Sequence, residues 1–290
     1  MRLPTILELF KAGVHFGHIH SKWHPKMAPY IYTTKDTVHI IDLEKTIEKL
    51  KEALDYLKDL RKREGVILFI GLKPQIEEII KEKAKEIKMP YVIERWIGGT
   101  LTNFSVIRGL IEKLEKLEKE KASGEFSKYT KKEQMQLDQK INKLLKIVEG
   151  IRNLKKLPEA LFIIDCKKAK TAIQEAKRMA IPIVAMVDTN VNPENIAWPI
   201  PANDDSIKSV KMIVDLVTEA IKEGEKEELK RIYETLNPAQ LKRAIDKKLD
   251  LLYKAYQKKN KSQKVEPKKK IKPISLTFYI GQPAKLRLHS

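Results

Sequence analysis

E-R-W-I-G-G-T-L-T-N-F, residues Glu94–Phe104, is a glycine-hinged loop with basic and aromatic residues that opens directly into two long charged helices. The first helix carries apolar residues at Ile107, Leu110, Leu114 and Leu117. The second carries them at Leu137, Ile141, Leu144, Val148 and Ile151. Steps that alternate between three and four place one narrow apolar stripe on each helix, the seam of an antiparallel coiled-coil pair. Between them A-S-G-E-F-S-K-Y-T is small and polar, and Thr130 with Glu133 forms a capping box for the second helix. Such an arm suits a protein that reaches across a large neighbour better than it suits an enzyme.

Upstream of the loop, Thr5 caps a short helix, Ile6 to Lys11, that ends at Gly13, and a basic, histidine-rich loop follows. Tyr30–Thr33 and Val38–Ile41 read as short strands, and Leu43 to about Arg63 as an amphipathic helix. Val66–Ile70 is an uninterrupted apolar run ending at Gly71, the mark of a strand buried on both faces. A helix over Gln75–Lys88 stops at Pro90, and Tyr91–Ile93 is another strand. Beyond the arm the rhythm resumes. Leu161–Ile164, Ile183–Val187 and Ala197–Ile200 are strands, and Lys168–Met179 and Ser206–Lys222 are helices.

This alternation predicts an α/β fold: a doubly wound, mainly parallel sheet with an inserted antiparallel coiled-coil helical hairpin. The expected organisation is an α/β domain over 1–102 and 154–223, the hairpin over 103–153, and a basic extension over 224–290. Within that extension Asn237–Gln257 reads as helical. K-K-N-K-S-Q-K-V-E-P-K-K-K-I-K-P is low-complexity, basic and expected to be disordered when free, and I-S-L-T-F-Y-I-G-Q is strand-like.

The 58 lysines and arginines outnumber 39 acidic residues for a net charge of +19, and +11 of this excess lies in residues 222–290. Basicity of that size favours a polyanionic partner, because neutralising phosphates releases condensed counterions. Cys166, the only cysteine, excludes an intrachain disulfide and a cysteine-based zinc site, and points to a reducing compartment. No apolar stretch approaches the length of a membrane span, and the N-terminal residues read as neither a signal nor a transit peptide. The expected location is the cytosol or the interior of an organelle.

Four of the six histidines, His15, His18, His20 and His24, fall in one loop. Gly17 and Pro25 break the helical spacing that a zinc hydrolase needs, so loop anchoring and phosphate contact are the expected roles. Lys22, Trp23 and Lys26 form a basic-aromatic-basic cluster that suits an unpaired base and its backbone. A core plug under the loop is the other reading of Trp23, and both stay open. Lys73, in G-L-K-P after the strand Val66–Ile70, is placed to meet an external phosphate or simply solvent. Neither G-x-G-x-x-G nor G-x-x-x-x-G-K-S/T occurs there, so a nucleotide enzyme lacks its phosphate cradle. Arg95 offers a guanidinium fork and Trp96 a stacking face, while Gly98 and Gly99 permit close approach or a plain hinge. Asp188, Asp204 and Asp205 lie at strand ends without an assignable base or nucleophile; Asp204 and Asp205 also suit helix capping.

Taken in order, A-G-V-H-F-G-H (Ala12–His18), W-H-P-K-M (Trp23–Met27), H-I-I-D-L (His39–Leu43), R-W-I-G-G-T-L-T-N (Arg95–Asn103), K-L-P-E-A-L-F-I-I-D (Lys156–Asp165), I-P-I-V-A-M-V-D-T-N (Ile181–Asn190) and N-D-D (Asn203–Asp205) resemble the small-subunit ribosomal protein two family in its bacterial type. His24 and Ala202 depart from the family's usual Asn and Gly. The resemblance covers residues 1 to about 223. It implies a non-catalytic structural protein that binds small-subunit rRNA, supports subunit assembly and translation, and helps dock small-subunit ribosomal protein one. The implied location is the ribosome, in the cytoplasm or an organelle. It implies no cofactor, no small-molecule substrate and no membrane partner. The RNA-facing positions expected are Lys22, Trp23, Lys26, Lys73, Arg95, Trp96, Arg108 and Lys131. No metal is assigned, although His18, Asp188 and Asp204 are a conceivable ligand set. The extension beyond 223 is expected to add RNA affinity.

Overall fold

A computed structural model of the protein describes residues 2–235. The helix, basic tract and strand expected within 237–290 therefore lie outside the described residues. Helix α1 (Ile6–Lys11) is capped by Thr5 as expected, and Glu8 completes a capping box, with Glu8 N donating to Thr5 Oγ1 at 3.3 Å and Thr5 N to Glu8 Oε2 at 2.7 Å. A small antiparallel sheet follows, built from β1 (Phe16–Ile19), β2 (Ile31–Lys35) and β3 (Val38–Ile41) in the order β1-β3-β2. The β2–β3 connection turns on Asp36 and Thr37, both with positive φ (47° and 68°). That pairing of positive φ values matches the right-handed twist of a tight hairpin.

Helix α2 (Leu43–Lys62), capped by Asp42, leads into β4 (Ile67–Ile70). Then come α3 (Glu77–Glu86), β5 (Tyr91–Val92), α4 (Phe104–Ala122), α5 (Lys131–Val148), β6 (Ala160–Ile163), α6 (Lys170–Arg178), β7 (Ile183–Val187), β8 (Trp198–Pro201) and α7 (Ile207–Thr235). Strands β4 to β8 form one parallel sheet in the order β5-β4-β6-β7-β8. Numbered from β4, this is a 2-1-3-4-5 order, one of the doubly wound arrangements. Strands β4, β6 and β7 are buried along their whole length, as their unbroken apolar runs require.

The alternation of side chains divides the core into two layers. Ile67, Phe69, Phe162, Val184 and Met186 face α2, α3 and α7. Leu68, Ile70, Leu161, Ile163 and Val187 face α6 and the base of the α4–α5 hairpin, where Ile107, Ile111, Val148 and Ile151 are buried with them. The hairpin thus seals one face of the sheet as well as extending from it. On α4 the buried stripe is Ile107, Ile111, Leu114 and Leu117, so Ile111 takes the place expected of Leu110, which is half-buried. Leu137 and Leu144 are also half-buried. Gly124 (φ +80°) turns the chain at the tip and Phe126 plugs it. The Thr130–Glu133 capping box starts α5 as expected.

Two elements differ from expectation. The histidine-rich segment contains a strand, β1, whose F-G-H-I has no apolar alternation to betray it. Helix α7 runs well past Lys222, because Glu223, Glu225 and Glu227 find Lys58, Arg61 and Lys62 of α2 at 2.6 to 3.3 Å. Gly224 permits that approach: a Cβ there would lie 2.5 Å from the Lys58 carbonyl oxygen.

Candidate nucleic-acid interface

The Arg95–Asn103 loop is held from beneath by one carboxylate. Glu175 of α6, buried, accepts from Trp96 Nε1 at 3.0 Å, Gly99 N at 2.8 Å, Leu101 N at 2.9 Å and Thr102 N at 3.3 Å. Gly99 has φ +91°, the left-handed conformation that lets successive N–H groups converge on one acceptor. Burial pushes the Glu175 carboxyl up, but these donors outweigh it and hold its pKa below the ordinary value. Trp96 is therefore inside, packed with Leu101 and Ile107, and its indole N–H is already used. The residue expected to offer a stacking face is thus enclosed by its own loop. Arg95 and Gly98 remain exposed on the outside of the loop.

The second aromatic, Trp23, is half-buried in a cluster of rings. Its centroid lies 5.5 Å from that of His20 in a stacked arrangement and 5.0 Å from that of His39. His39 is buried between His20 (Nδ1 to Nε2, 3.1 Å) and Thr34 (Oγ1 to Nδ1, 3.0 Å). Trp23 is thus partly a plug and partly surface. Lys22 beside it is exposed with no ion-pair partner among the described residues. Lys26 is exposed and pairs with Glu194 at 2.6 Å. His24 caps the following turn by accepting from Lys26 N at 3.2 Å.

At the carboxyl ends of the strands, where the β4/β6 order reverses, a doubly wound fold has its ligand crevice. Here that crevice is filled by the protein's own charges. Lys73, only 13% exposed, lies 2.7 Å from Asp204 Oδ1, 2.8 Å from Asp205 Oδ1 and 3.7 Å from Asp165 Oδ2. Burial depresses its ammonium, yet these carboxylates prevail and raise its pKa. Lys73, expected to meet an external phosphate or solvent, here faces inward onto the protein's own carboxylates. Burial, with Asp188 as a like charge nearby, pushes the Asp204 carboxyl up to about 7 against the pull of Lys73.

The metal set conceived from sequence changes by one member. His18, Asp188 and Asp205 present donor atoms within 4.8 Å of one another. Asp204 instead turns to Lys73. His18 Nδ1 is 3.1 Å from Asp188 Oδ1 and Nε2 is 3.4 Å from Asp205 Oδ2. The Asp188 hydrogen bond raises the imidazole's pKa over the opposing effect of burial. A cation binding these three groups would displace that proton.

Arg108 and Lys131 project from the hairpin. Arg108 is 56% exposed with only Glu112 nearby, at 3.6 Å, and Lys131 is exposed and unpaired among the described residues. Lys132, Lys140 and Lys143, which no sequence motif singled out, are also exposed and have no ion-pair partner among the described residues. By helical spacing Lys132 and Lys143 share the side of α5 opposite its buried stripe, and Lys140 lies on the flank of that stripe. Lys167, exposed and near enough to Asp205 to act on its charge, was missed in the same way, although K-K-A-K a few residues after the end of β6 was the available signal.

A sequence model of the family described as Ribosomal protein S2 matches residues 9–224. The "Small ribosomal subunit protein uS2" of Coprothermobacter proteolyticus is 43% identical over 224 residues, covering 77% of this chain and 84% of that protein. The protein of the same name from Parabacteroides distasonis is 43% identical over 217 residues, covering 75% and 78%.

Proposed function

The chain belongs to the ribosomal protein S2 family, and from that premise we propose that it acts by binding small-subunit rRNA through exposed cations spread over its loops and hairpin. A member of this family is a non-enzymatic, structural protein of the small ribosomal subunit, a component of translation. The observation that carries the RNA-binding reading is the charge: +19 overall, with Lys22, Arg95 and Lys131 exposed and unpaired among the described residues. Such groups gain by meeting phosphates and lose nothing internal. Lys26 and Arg108 join them after yielding a single surface carboxylate each, a small cost. Trp23 offers its exposed edge to an unpaired base.

In this reading the expected location is the ribosome. No helix of the described residues is long and apolar enough to cross a membrane. We read the α4–α5 hairpin as a short coiled coil, supported by the four-three stepping of Ile107, Ile111 and Leu114 on α4 and by Lys121 of α4 pairing with Asp138 of α5 at 2.8 Å. Docking of small-subunit ribosomal protein one has a fitting surface in Ile6, Leu7, Phe10 and Phe16, which are exposed around His15; that ring stacks on Phe10 with centroids 4.3 Å apart.

The enzyme alternative loses its crevice to Lys73 and its carboxylates. The test is sedimentation of the tagged full chain from a lysate. It is expected with small subunits, and its recovery only as free protein would refute the proposal.

A further inference from the structure

We propose that a pocket at the base of the hairpin receives one unpaired rRNA nucleotide, its base on the apolar floor and its phosphate on a lysine rim. The pocket encloses about 480 Å³, a volume within the usual range of small-ligand sites. Its floor is Met89, Pro90 and Leu154, from the turn after α3 and from the segment that leaves the hairpin. Lys85, Lys88, Lys155 and Lys156 line it too. Two of these cations are already neutralised, Lys85 by Glu149 at 3.3 Å and Lys156 by Glu159 at 2.5 Å. Lys88 and Lys155 are exposed and have no partner among the described residues.

The position of Lys88 is built by the backbone. It occupies the left-handed residue (φ +56°) that ends α3, with Met89 N donating back to Ala84 O at 2.9 Å. The opposite wall is equally constrained: a Cβ at Gly150 would meet the Tyr91 carbonyl oxygen at 2.0 Å, so strand and hairpin touch there. The concavity is thus a product of two packed elements and exists without a ligand.

An apolar floor beside two unneutralised cations matches a flat, uncharged ring attached to an anion. A nucleotide has both parts, whereas an acidic peptide would leave the floor unfilled. Asn153 and the Glu149 carboxylate, also at the pocket, supply hydrogen-bonding groups for a base edge. The inference rests on the RNA-binding reading above and adds a subsite to it.

The test uses full-length protein assembled into small subunits, with a photo-crosslinking side chain introduced at Lys156, which lines the pocket, is exposed and is already neutralised by Glu159. The expected product is a crosslink to a single unpaired rRNA nucleotide, mapped by a reverse-transcription stop. Lys88→Gln/Lys155→Gln is expected to reduce its yield about tenfold. The same pair should lower the slope of log affinity for rRNA against log salt by roughly 0.7 to 1.4. Both lysines are exposed, so the variant keeps its fold. Crosslinking to a neighbouring protein, or none in subunits that contain the protein, overturns the subsite and leaves the RNA reading intact. Failure of the wild-type chain to enter small subunits or bind rRNA overturns both.

Discussion

Trp96 Nε1 and Glu175 Oε1 lie 3.0 Å apart, both residues buried, and this bond fastens the loop that opens the hairpin to α6, which packs on the same face of the sheet. The carboxylate also gathers the backbone N–H groups of Gly99, Leu101 and Thr102. One side chain therefore replaces what would otherwise be several unsatisfied buried donors.

Replacing that acceptor should be costly. Glu175→Ala is expected to lower unfolding free energy by about 3 kcal/mol, read by urea denaturation, because it strands buried donors. The Glu175 pKa is lowered in the folded state from 4.5. Its contribution is therefore complete above about 4.5 and lost as pH falls through the lower folded value. Glu175→Gln should flatten the acid limb of the stability profile. An unchanged limb would show that the carboxylate charge is irrelevant to the loop.

Glycine substitutions separate packing from propensity. Gly150→Ala forces a methyl to 2.0 Å from the Tyr91 carbonyl oxygen and should destabilise the protein by several kcal/mol, or displace the hairpin from the sheet. Gly109→Ala, in an exposed turn of α4 with nothing within 4 Å of the added Cβ, should stabilise by about 0.5 to 1 kcal/mol. Paired thermal melts check both signs.

Charge reversal at exposed positions should act on assembly and not on folding. Arg95→Glu/Arg108→Glu is expected to leave the melting temperature within about 2 °C, since surface ion pairs contribute little. The variant should nevertheless fall out of the small-subunit fraction on a sucrose gradient. Full retention there would remove these two residues from the interface.

Capping signals and strands buried on both faces were legible because their causes are local. Thr5 as a cap, Thr130 with Glu133, and the run Ile183–Val187 needed no knowledge of distant residues. What escaped depends on distant partners. Trp96 and Glu175 are 79 positions apart, so nothing near R-W-I-G-G announces that the indole is spoken for. Lys73 meets its carboxylates across 131 and 132 positions, and a lysine after a strand reads the same whether it faces phosphate or aspartate. The Glu-rich continuation of α7 resembles a solvated tail until Lys58, Arg61 and Lys62 are placed beside it. Among the proposed contacts, those that remain at the surface are the ones whose residue type alone, a long cation on a loop or charged helix, favoured exposure.

The most direct measurement is a titration of small-subunit rRNA with the purified full-length protein across a range of salt concentrations. A protein that works by placing cations on phosphates should bind with log affinity falling linearly against log salt, at a slope of about −3 or steeper. Absence of binding at moderate salt, or an affinity indifferent to salt, would contradict it.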